Sequence, residues 1–295
     1  MRSPFPLFLL VAAVSMLHAD DWPQWLGPEH DSVWREDGLL EKFPADGPLV
    51  RWRVPLGLGY TGPAVADGRV YVMDRRQADG AKAGNPFSRG EIPGTERVVC
   101  FAEGDGKLLW EHEYDCPYTV SYPAGPRSTP TVSGGKVYAL GAEGNLKCFD
   151  AATGKVIWAR DFKKDFAIKT PMWGFAGHPL IDGRKLICLV GGQGSVAVAF
   201  DKDTGKELWR ALNAEEPGYA PPIIYEAGGR RQLLIWHPEA LNSLDPETGA
   251  VHWTERVQAR SGLSVAHPRK LGDLLFITSF YNGSTMFALR RTSRP

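Results

Sequence analysis

The fold is decided by the stretch Cys148-Phe-Asp-Ala-Ala-Thr-Gly-Lys-Val-Ile-Trp158, which has three gap-free counterparts elsewhere in the 295-residue chain. The counterparts are Cys100–Trp110, Ala199–Trp209 and Ser243–Trp253. Successive terminal tryptophans are 48, 51 and 44 residues apart. Self-similarity at this period predicts one supersecondary unit repeated along the chain.

Three positions of the repeat have a clear physical role. Aspartate stands eight residues before the tryptophan in three copies, with Ala102 in the first, and it can accept hydrogen bonds from the backbone of a tight turn. The tryptophan ring is expected to cover a neighbouring sheet while its indole N–H finds an acceptor. Glycine stands four residues before the tryptophan in every copy and permits a positive φ there: Gly106, Gly154, Gly205 and Gly249.

A second signature precedes each copy, in which Asp-Gly or Gly-Gly separates two apolar runs, as in a β-hairpin. It occurs at 63–72, 130–139 and 179–188, with looser copies at 222–235 and 268–276. Each repeat therefore contains two hairpins, with strands a, b, c and d. Four-stranded units of about 45 residues indicate blades. We predict an all-β β-propeller of four-stranded antiparallel blades, with about five blades in this chain.

The Asp-x-x-Thr-Gly-x-x-x-Trp repeat resembles that of pyrroloquinoline-quinone (PQQ)-like β-propellers, and the resemblance covers roughly Trp52 to Leu289. The opening residues Asp21–Pro28, which lead to Leu49–Trp52, resemble the start of exported bacterial members of that family. The resemblance implies a superfamily that contains quinoprotein alcohol dehydrogenases and a periplasmic scaffold subunit of outer-membrane protein assembly. Its members usually carry seven or eight blades.

The count gives four complete blades and a fifth that stops early. Leu271–Leu289 supplies strands a, b and c, and Arg290–Pro295 stands where the last turn and strand d are expected. Leu49–Val54 matches the strand-d pattern and is a candidate for the missing strand, which would hide free sheet edges. The chain is then either a closed five-bladed ring or a truncated arc of a seven- or eight-bladed ring. We favour the arc because the repeat ends abruptly.

The N-terminus predicts export. Arg2, an apolar run over Leu7–Leu17 and the small residue Ala19 predict a signal peptide at 1–19, and the alternative is a buried N-terminal strand or helix. The run is shorter than the roughly 20 residues of a membrane-spanning helix. An N-terminal extension at 20–48 and the propeller at 49–295 complete the domain organisation. We expect a secreted or periplasmic monomer with no membrane span after signal removal.

Charge and cysteine content narrow the partners and the chemistry. Lys plus Arg and Asp plus Glu both total 34, so no net field attracts nucleic acid. Of the four cysteines, Cys100 and Cys148 occupy equivalent repeat positions and should lie in neighbouring sheets. We favour four buried thiols, with one disulfide as the alternative.

The site is predicted on the face that carries the long d–a connections, because the a–b and c–d turns are short and uniform. Irregular loops on one face of a regular scaffold usually carry function. Blade one adds a b–c insertion from Asp74 to Arg97. The d–a connections are Glu111–Thr129, Ala159–Gly177, Arg210–Pro221 and Thr254–Ala266.

Residues that enter the innermost strands on this face are the candidate ligand-binding residues: Arg127, Ser128, Trp173, His178, Tyr219, His237, Glu239 and His267. They predict a polar pocket with an aromatic wall for a small molecule, sugar or peptide. The alternative is that the three His-Pro pairs only shape the turn into each strand, with the imidazoles capping backbone groups. No catalytic residue and no metal ligand is predicted.

We therefore predict a non-catalytic binding or scaffolding module for a protein, peptide or glycan, without a cofactor. The alternative is a PQQ-dependent quinoprotein dehydrogenase. The resemblance implies that such an enzyme holds PQQ with calcium, an aspartate base and a disulfide between adjacent cysteines, and this chain has no adjacent cysteines. A third hypothesis is a non-functional fragment of a longer propeller.

Overall fold

The structure is a computed structural model that describes residues 20–80, 85–87 and 89–289. The predicted signal peptide and Arg290–Pro295 lie outside these residues. Within them the chain forms five antiparallel sheets, one short α-helix and one 3-10 turn. Strands pair in chain order within every sheet, which confirms the predicted all-β blades.

Four sheets have four strands and the last has three. Blade one contains β1 (Ala64–Ala66), β2 (Arg69–Gln77), β3 (Gly94–Ala102) and β4 (Leu108–Asp115). Blade two contains β5 (Thr131–Ser133), β6 (Lys136–Leu140), β7 (Asn145–Asp150) and β8 (Val156–Asp161). Blade three contains β9 (Leu180–Asp182), β10 (Lys185–Leu189), β11 (Ala197–Asp201) and β12 (Glu207–Ala211). Blade four contains β13 (Ile223–Ala227), β14 (Arg230–His237), β15 (Ala240–Leu244) and β16 (Val251–Glu255). Blade five contains β17 (Arg269–Leu271), β18 (Leu274–Ser279) and β19 (Gly283–Ala288).

The first strand of each blade lies at the inner edge of the arc. β1 lies beside β5, and β5 lies beside β9. The fourth strands form the outer edge, and buried and exposed residues alternate along them. The helix α1 (Phe162–Phe166) and the 3-10 turn (Arg260–Gly262) lie in two of the d–a connections. All these connections therefore run from the outer edge of one blade back to the inner edge of the next.

Blades one, two and three each dock on the next blade through the repeat tryptophan and the glycine of the following turn, whereas the Trp253 indole N–H donates to Gln232 Oε1 within blade four at 2.8 Å. The Trp110 indole N–H donates to the Ala151 carbonyl at 3.0 Å, and a Cβ built on Gly154 would lie 2.6 Å from the Trp110 ring. Trp158 and Trp209 make the same pair of contacts with blades three and four. The predicted cover of one sheet by the tryptophan of its neighbour is confirmed at these interfaces.

The aspartate of the repeat caps the same turn. Asp150 Oδ1 accepts from the backbone N–H and the hydroxyl of Thr153, at 2.8 and 2.7 Å. Asp201 does the same for Thr204, and the hydrogen bond from Arg184 lowers the pKa of Asp201 to about 2. The turn therefore presents its glycine to the incoming tryptophan in a fixed position.

Apolar clusters fill the space between neighbouring blades. Tyr71 and Cys100 of blade one pack with Val137 and Phe149 of blade two, and equivalent clusters join the later pairs. All four cysteines are buried free thiols, and burial raises the pKa of Cys100 to about 11. This arrangement agrees with the favoured hypothesis of apolar thiols.

The insertion in blade one is shorter than the predicted range Asp74–Arg97. The hairpin ladder continues to Gln77 and resumes at Gly94, and Asp74 lies directly opposite Arg97. Arg97 donates to both Asp74 carboxylate oxygens, at 2.8 and 2.5 Å, and this buried ion pair extends the two strands. The following connection begins after Asp115, not at Glu111, because β4 pairs with the extended β3.

The segment Leu49–Val54 does not complete blade five, contrary to the sequence-based suggestion. Its Trp52 donates to the Glu103 carbonyl at 2.6 Å, and a Cβ on Gly106 would lie 2.7 Å from the Trp52 ring. The segment thus lies on blade one as the last strand of a preceding blade would. Within the described residues, β19 pairs with β18 alone.

Residues 22–31, here called the inner strap, run along the inner edge of the arc. Trp22 pairs with Val65 of β1 through two hydrogen bonds of 2.9 Å, and the Pro23 carbonyl accepts from Val132 of β5 at 2.8 Å. An extra segment paired in this way covers the free edges of innermost strands.

The inner strap continues to the last blades. The Trp25 ring stacks on His178 at 4.4 Å, and the Asp31 carbonyl accepts from Arg269 of β17 at 2.7 Å. Residues 22–31 therefore connect blade one to blade five across the arc.

Replacing the docking glycine tests the blade contact. Gly154→Ala adds a Cβ at a φ of +71° that also meets the Trp110 ring, whereas Gly68→Ala adds one at +70° in open space. Both substitutions place a Cβ at a positive φ, which lowers the free energy of unfolding. Gly154→Ala should lower it by about 1–3 kcal/mol more than Gly68→Ala, because its Cβ also overpacks the Trp110 ring. Urea unfolding measures both changes, and equal losses would contradict the docking role.

Candidate functional site

The connections between blades meet on one face and enclose an open pocket of about 300 Å³, here called the aromatic pocket. One lining residue precedes β1, and each of the four d–a connections supplies at least one other. The lining residues are Tyr60, Tyr122, Arg127, Trp173, Ala176, Tyr219, Leu263 and Val265. The pocket lies on the face predicted from the loop pattern.

Trp173 and Tyr219 form the inner wall. Their ring centroids are 5.6 Å apart with planes at 64°, a T-shaped contact, and Tyr219 is buried. The Tyr219 hydroxyl donates to Glu216 at 3.2 Å, and burial raises the pKa of Tyr219. The wall is therefore a neutral aromatic surface whose main hydroxyl is already engaged.

The rim is more exposed than the wall. Tyr60 is 54%, Tyr122 42% and Val265 52% exposed. Phe87 extends this apolar surface beyond the pocket, because its ring meets the Tyr122 ring at 5.5 Å, and Met172, the chain neighbour of Trp173, is also exposed. Contiguous exposed apolar patches on soluble proteins typically mark interaction sites.

Arg127 supports the pocket from below. Its guanidinium donates to the backbone carbonyls of Ser121 at 2.8 Å, Tyr122 at 2.7 Å and Gly125, and it lies 5.3 Å from the centroid of the Tyr60 ring. Burial lowers the pKa of Arg127, although an arginine keeps its charge in proteins. Arg127 therefore holds the loop that carries Tyr122.

Glu143 and Arg89 each form hydrogen bonds to two of the loops beside the pocket. Buried Glu143 accepts from the Thr119 backbone at 2.5 Å, the Thr170 hydroxyl at 2.6 Å and Lys163 at 2.8 Å. Burial opposes its ionisation, but the bonds from Lys163 and Thr170 lower the pKa of Glu143 below its usual value. Arg89 donates to the carbonyls of Thr119 and Thr170, at 2.9 and 2.7 Å. These bonds join the insertion to two connections.

Two other predicted residues, His178 and His267, lie below the inner strap. The His178 Nδ1 accepts from the Thr129 backbone at 2.9 Å, and burial lowers the pKa of His178 to about 3. His267 accepts from Arg269 at 3.1 Å, and Ser128 is fully buried. The cavity between the strap and these blades holds about 10 Å³, room for a single water molecule at most.

His237 and Glu239 lie apart from both places, in an open groove with Leu212 and Asn242. The His237 Nδ1 accepts from the Glu239 backbone at 3.3 Å, as a capping imidazole does. The structure thus brings together Arg127, Trp173 and Tyr219 among the predicted residues. A ligand-binding role for the eight predicted residues stays a prediction.

Five pocket residues were not predicted from sequence: Tyr60, Tyr122, Ala176, Leu263 and Val265. All but Tyr60 lie within the predicted d–a connections, so an apolar residue in those loops was the available signal. Tyr60 precedes the first hairpin, and its backbone N–H donates to Pro126 at 2.9 Å. That contact joins residues far apart in the chain, so no local sequence pattern could place Tyr60 at the pocket.

PQQ, a planar tricyclic tricarboxylate, fits neither the cavity under the inner strap nor the aromatic pocket. The cavity under the inner strap is far smaller than the roughly 300 Å³ of a small-molecule site. The aromatic pocket has Arg127 as its cation, and that guanidinium is bonded to three carbonyls of its own loop. Among the residues that the structure describes, no three His, Cys, Asp or Glu side chains are grouped to hold a metal ion.

A family model described as "Outer membrane protein assembly factor BamB" matches residues 94–295. The quinohemoprotein alcohol dehydrogenase ADH IIB of Pseudomonas putida is 29% identical over 227 residues, which cover 71% of this chain and 29% of that protein. The BamB of Salmonella typhimurium is 24% identical over 166 residues, or 53% of this chain and 34% of that protein. The chain therefore spans about a third or less of the length of these curated relatives.

The solved quinohemoprotein alcohol dehydrogenase of Comamonas testosteroni shares the fold. It aligns over 91% of this chain and 49% of its own, with a TM-score of 0.55 and 17% sequence identity. Within the described range, no helix has the length and hydrophobicity needed to cross a membrane.

Because His178 is buried and neutral, the folded protein should lose stability as the pH falls. An unfolded histidine has a pKa near 6.5, so the unfolded chain binds more protons than the folded chain between that pH and about 3. The contribution of His178 is full above pH 6.5 and falls with pH by about 1.4 kcal/mol per unit.

The variant His178→Asn keeps a side-chain acceptor for Thr129 but cannot titrate. Unfolding measured from pH 7 to pH 5 should show the stability difference between the native chain and the variant shifting by that slope. The other histidines and the carboxylates titrate in both proteins, so their contributions cancel in the difference. A difference that stays constant over this range would contradict the buried neutral imidazole.

Proposed function

The chain belongs to the family of PQQ-like β-propeller proteins, and on that premise we propose that it is a non-catalytic module that binds an extended segment of another protein at the aromatic pocket. The observation that carries this proposal is the composition of the pocket. The four connections between blades converge there, and their exposed side chains are aromatic or aliphatic.

The chemistry of the pocket favours an apolar polypeptide segment. Tyrosine and tryptophan offer large rigid contact surfaces at low cost in conformational entropy, and they are enriched at protein-binding hot spots. The apolar surface continues past the pocket to Phe87, which suits an elongated ligand. Sugar recognition needs free polar groups for the hydroxyls, whereas Arg127 and the Tyr219 hydroxyl are engaged by the protein itself.

The pocket is preorganised for binding. Glu143, Arg89 and Arg127 hold its loops through hydrogen bonds to backbone and hydroxyl groups. A site that is ordered before binding loses less conformational entropy when the ligand arrives. This rigidity supports recognition of a specific segment.

The relatives support a protein partner in the cell envelope. The family model and three curated relatives carry the name of an outer-membrane protein assembly factor. We infer from this name and the predicted signal peptide that the chain works outside the cytoplasm, in the periplasm or beyond the cell. Sequence similarity to quinohemoprotein dehydrogenases is the basis for a second candidate function, an oxidoreductase. The poor fit of PQQ to the two cavities favours the binding module.

Photo-crosslinking in the producing cells tests the proposed partner. A p-benzoylphenylalanine in place of Val265 lies on the pocket rim, and the same residue in place of Leu108 lies on an outer strand. The two positions are 52% and 48% exposed. We expect discrete protein adducts from the rim position alone, and their loss when Tyr60→Ala or Tyr122→Ala removes a rim ring. Equal adducts from both positions, or none from the rim, would contradict the proposed site.

A further inference from the structure

The residue four positions after the repeat tryptophan is apolar or aromatic in three blades and polar in one. Tyr114, Phe162 and Val257 hold this position in blades one, two and four. Phe162 is fully buried, and Tyr114 and Val257 are packed against buried clusters. In blade three the position is Asn213, which is exposed. One interblade space therefore lacks the apolar side chain that its counterparts have.

The space between blades three and four is open, with a volume of about 730 Å³. Between blades two and three the equivalent space is filled by α1, whose Phe162 and Phe166 ring centroids lie 6.1 and 6.2 Å from that of Phe200. After β12 the chain continues instead through Leu212 and Asn213 without a helix. We call this open space the polar groove.

His237 gives the polar groove a donor at its inner wall. The side chain is only 5% exposed and lines the groove. Its Nδ1 accepts from the Glu239 backbone at 3.3 Å, which leaves the proton of the neutral imidazole on Nε2. Burial lowers the pKa of His237 and so favours the neutral form. No group among the described residues accepts from Nε2, whereas nearly buried polar groups normally have a partner.

The rim of the polar groove carries donors and acceptors together. Glu239, Arg256 and Gln258 are exposed, and their side chains form no hydrogen bond with the residues that the structure describes. Asn213 accepts from the Gly194 backbone through its Oδ1 at 2.6 Å, which leaves its amide N–H groups for a ligand. One carboxylate and one guanidinium balance in charge, so the groove does not select an ion.

Apolar side chains also line the polar groove, namely Leu212, Ala240 and Val251. A sugar ring has the same two kinds of surface. Its hydroxyl groups both donate and accept hydrogen bonds, and its C–H faces are apolar. A mainly apolar ligand would leave the polar groups of the groove unpaired, which costs binding free energy. The composition of the groove therefore matches a neutral saccharide.

We propose that the polar groove binds a neutral saccharide, with the His237 Nε2–H as the inner donor and Glu239 and Gln258 bound to hydroxyl groups at the rim. Asn213 keeps the groove open because it replaces the side chain that fills the equivalent space in blade two. The groove shares no lining residue with the aromatic pocket. The saccharide site is therefore independent of the proposed protein ligand.

An array of neutral oligosaccharides, built from hexoses and N-acetylhexosamines, tests the site with the fluorescently labelled mature chain. We expect capture on at least one oligosaccharide. Asn213→Phe, which supplies the ring found in blade two, should abolish capture, and Tyr122→Ala in the aromatic pocket should leave it unchanged. No capture, equal capture of the native and Asn213→Phe chains, or loss with Tyr122→Ala would overturn the proposal.

Calorimetry with the captured oligosaccharide gives a second readout. Glu239→Gln and Gln258→Ala should each weaken binding about tenfold, because each removes a hydrogen bond to a hydroxyl group. Neither side chain bonds to the described protein, so both variants should fold. Glu255→Gln is the matched control, since this exposed carboxylate lies on the other face of β16, next to Thr254 in the strand, and should have no effect.

Salt separates a neutral ligand from a charged one. Binding of a neutral saccharide should persist at about 0.5 M NaCl, where ion pairs at the surface are screened. Equal weakening by Glu239→Gln and Glu255→Gln would contradict a role for the polar groove. Loss of binding in salt would contradict a neutral ligand.

Discussion

The contact on which the rest of the structure depends is that of a tryptophan with the glycine of the next blade. The ring lies so close to the turn that a single methyl group would overlap it, and the indole N–H bonds to a carbonyl of the same turn. Truncating a buried tryptophan costs about 3–5 kcal/mol, a large share of the roughly 5–15 kcal/mol that stabilises a domain. Repeat proteins are held by such nearest-neighbour terms. The docking therefore determines how blades one to four, and the loops they carry, are placed.

The docked blades position the d–a connections on the pocket face, and side chains of these loops add further hydrogen bonds between them. Glu143 sits in the b–c turn of blade two and binds the connections on both sides of that blade. Arg127 holds the loop of Tyr122, and Tyr219 meets Trp173 from the next connection. In the aromatic pocket, Arg127 and the Tyr219 hydroxyl are engaged by the protein itself, while the rings of Tyr60 and Tyr122 remain exposed. This difference is the physical basis on which we propose an apolar segment as the ligand of the pocket.

Much of the fold was predictable because it follows from local rules. The aspartate, glycine and tryptophan of the repeat act within one turn and one neighbouring blade, so their spacing predicted the strands and the docking. The site was predictable only in part. Trp173 and Tyr219, which were predicted from the long connections, line the aromatic pocket. His178 and His267, which were predicted with them, lie instead under the inner strap. The path of that strap depends on contacts between Trp22 and Val65 and between Trp25 and His178, which no periodic pattern encodes.

Hydrogen exchange of the variant Trp158→Leu tests most directly whether blade docking organises the loop face. Trp158 contacts the turn of blade three at Lys202 and Gly205, and the connection that follows β8 carries Trp173 to the pocket. Loss of this ring should speed exchange in β8, in the turn at Gly205 and in the connection at 170–177, while the β2–β3 ladder of blade one stays protected. Faster exchange confined to β8 would contradict the account.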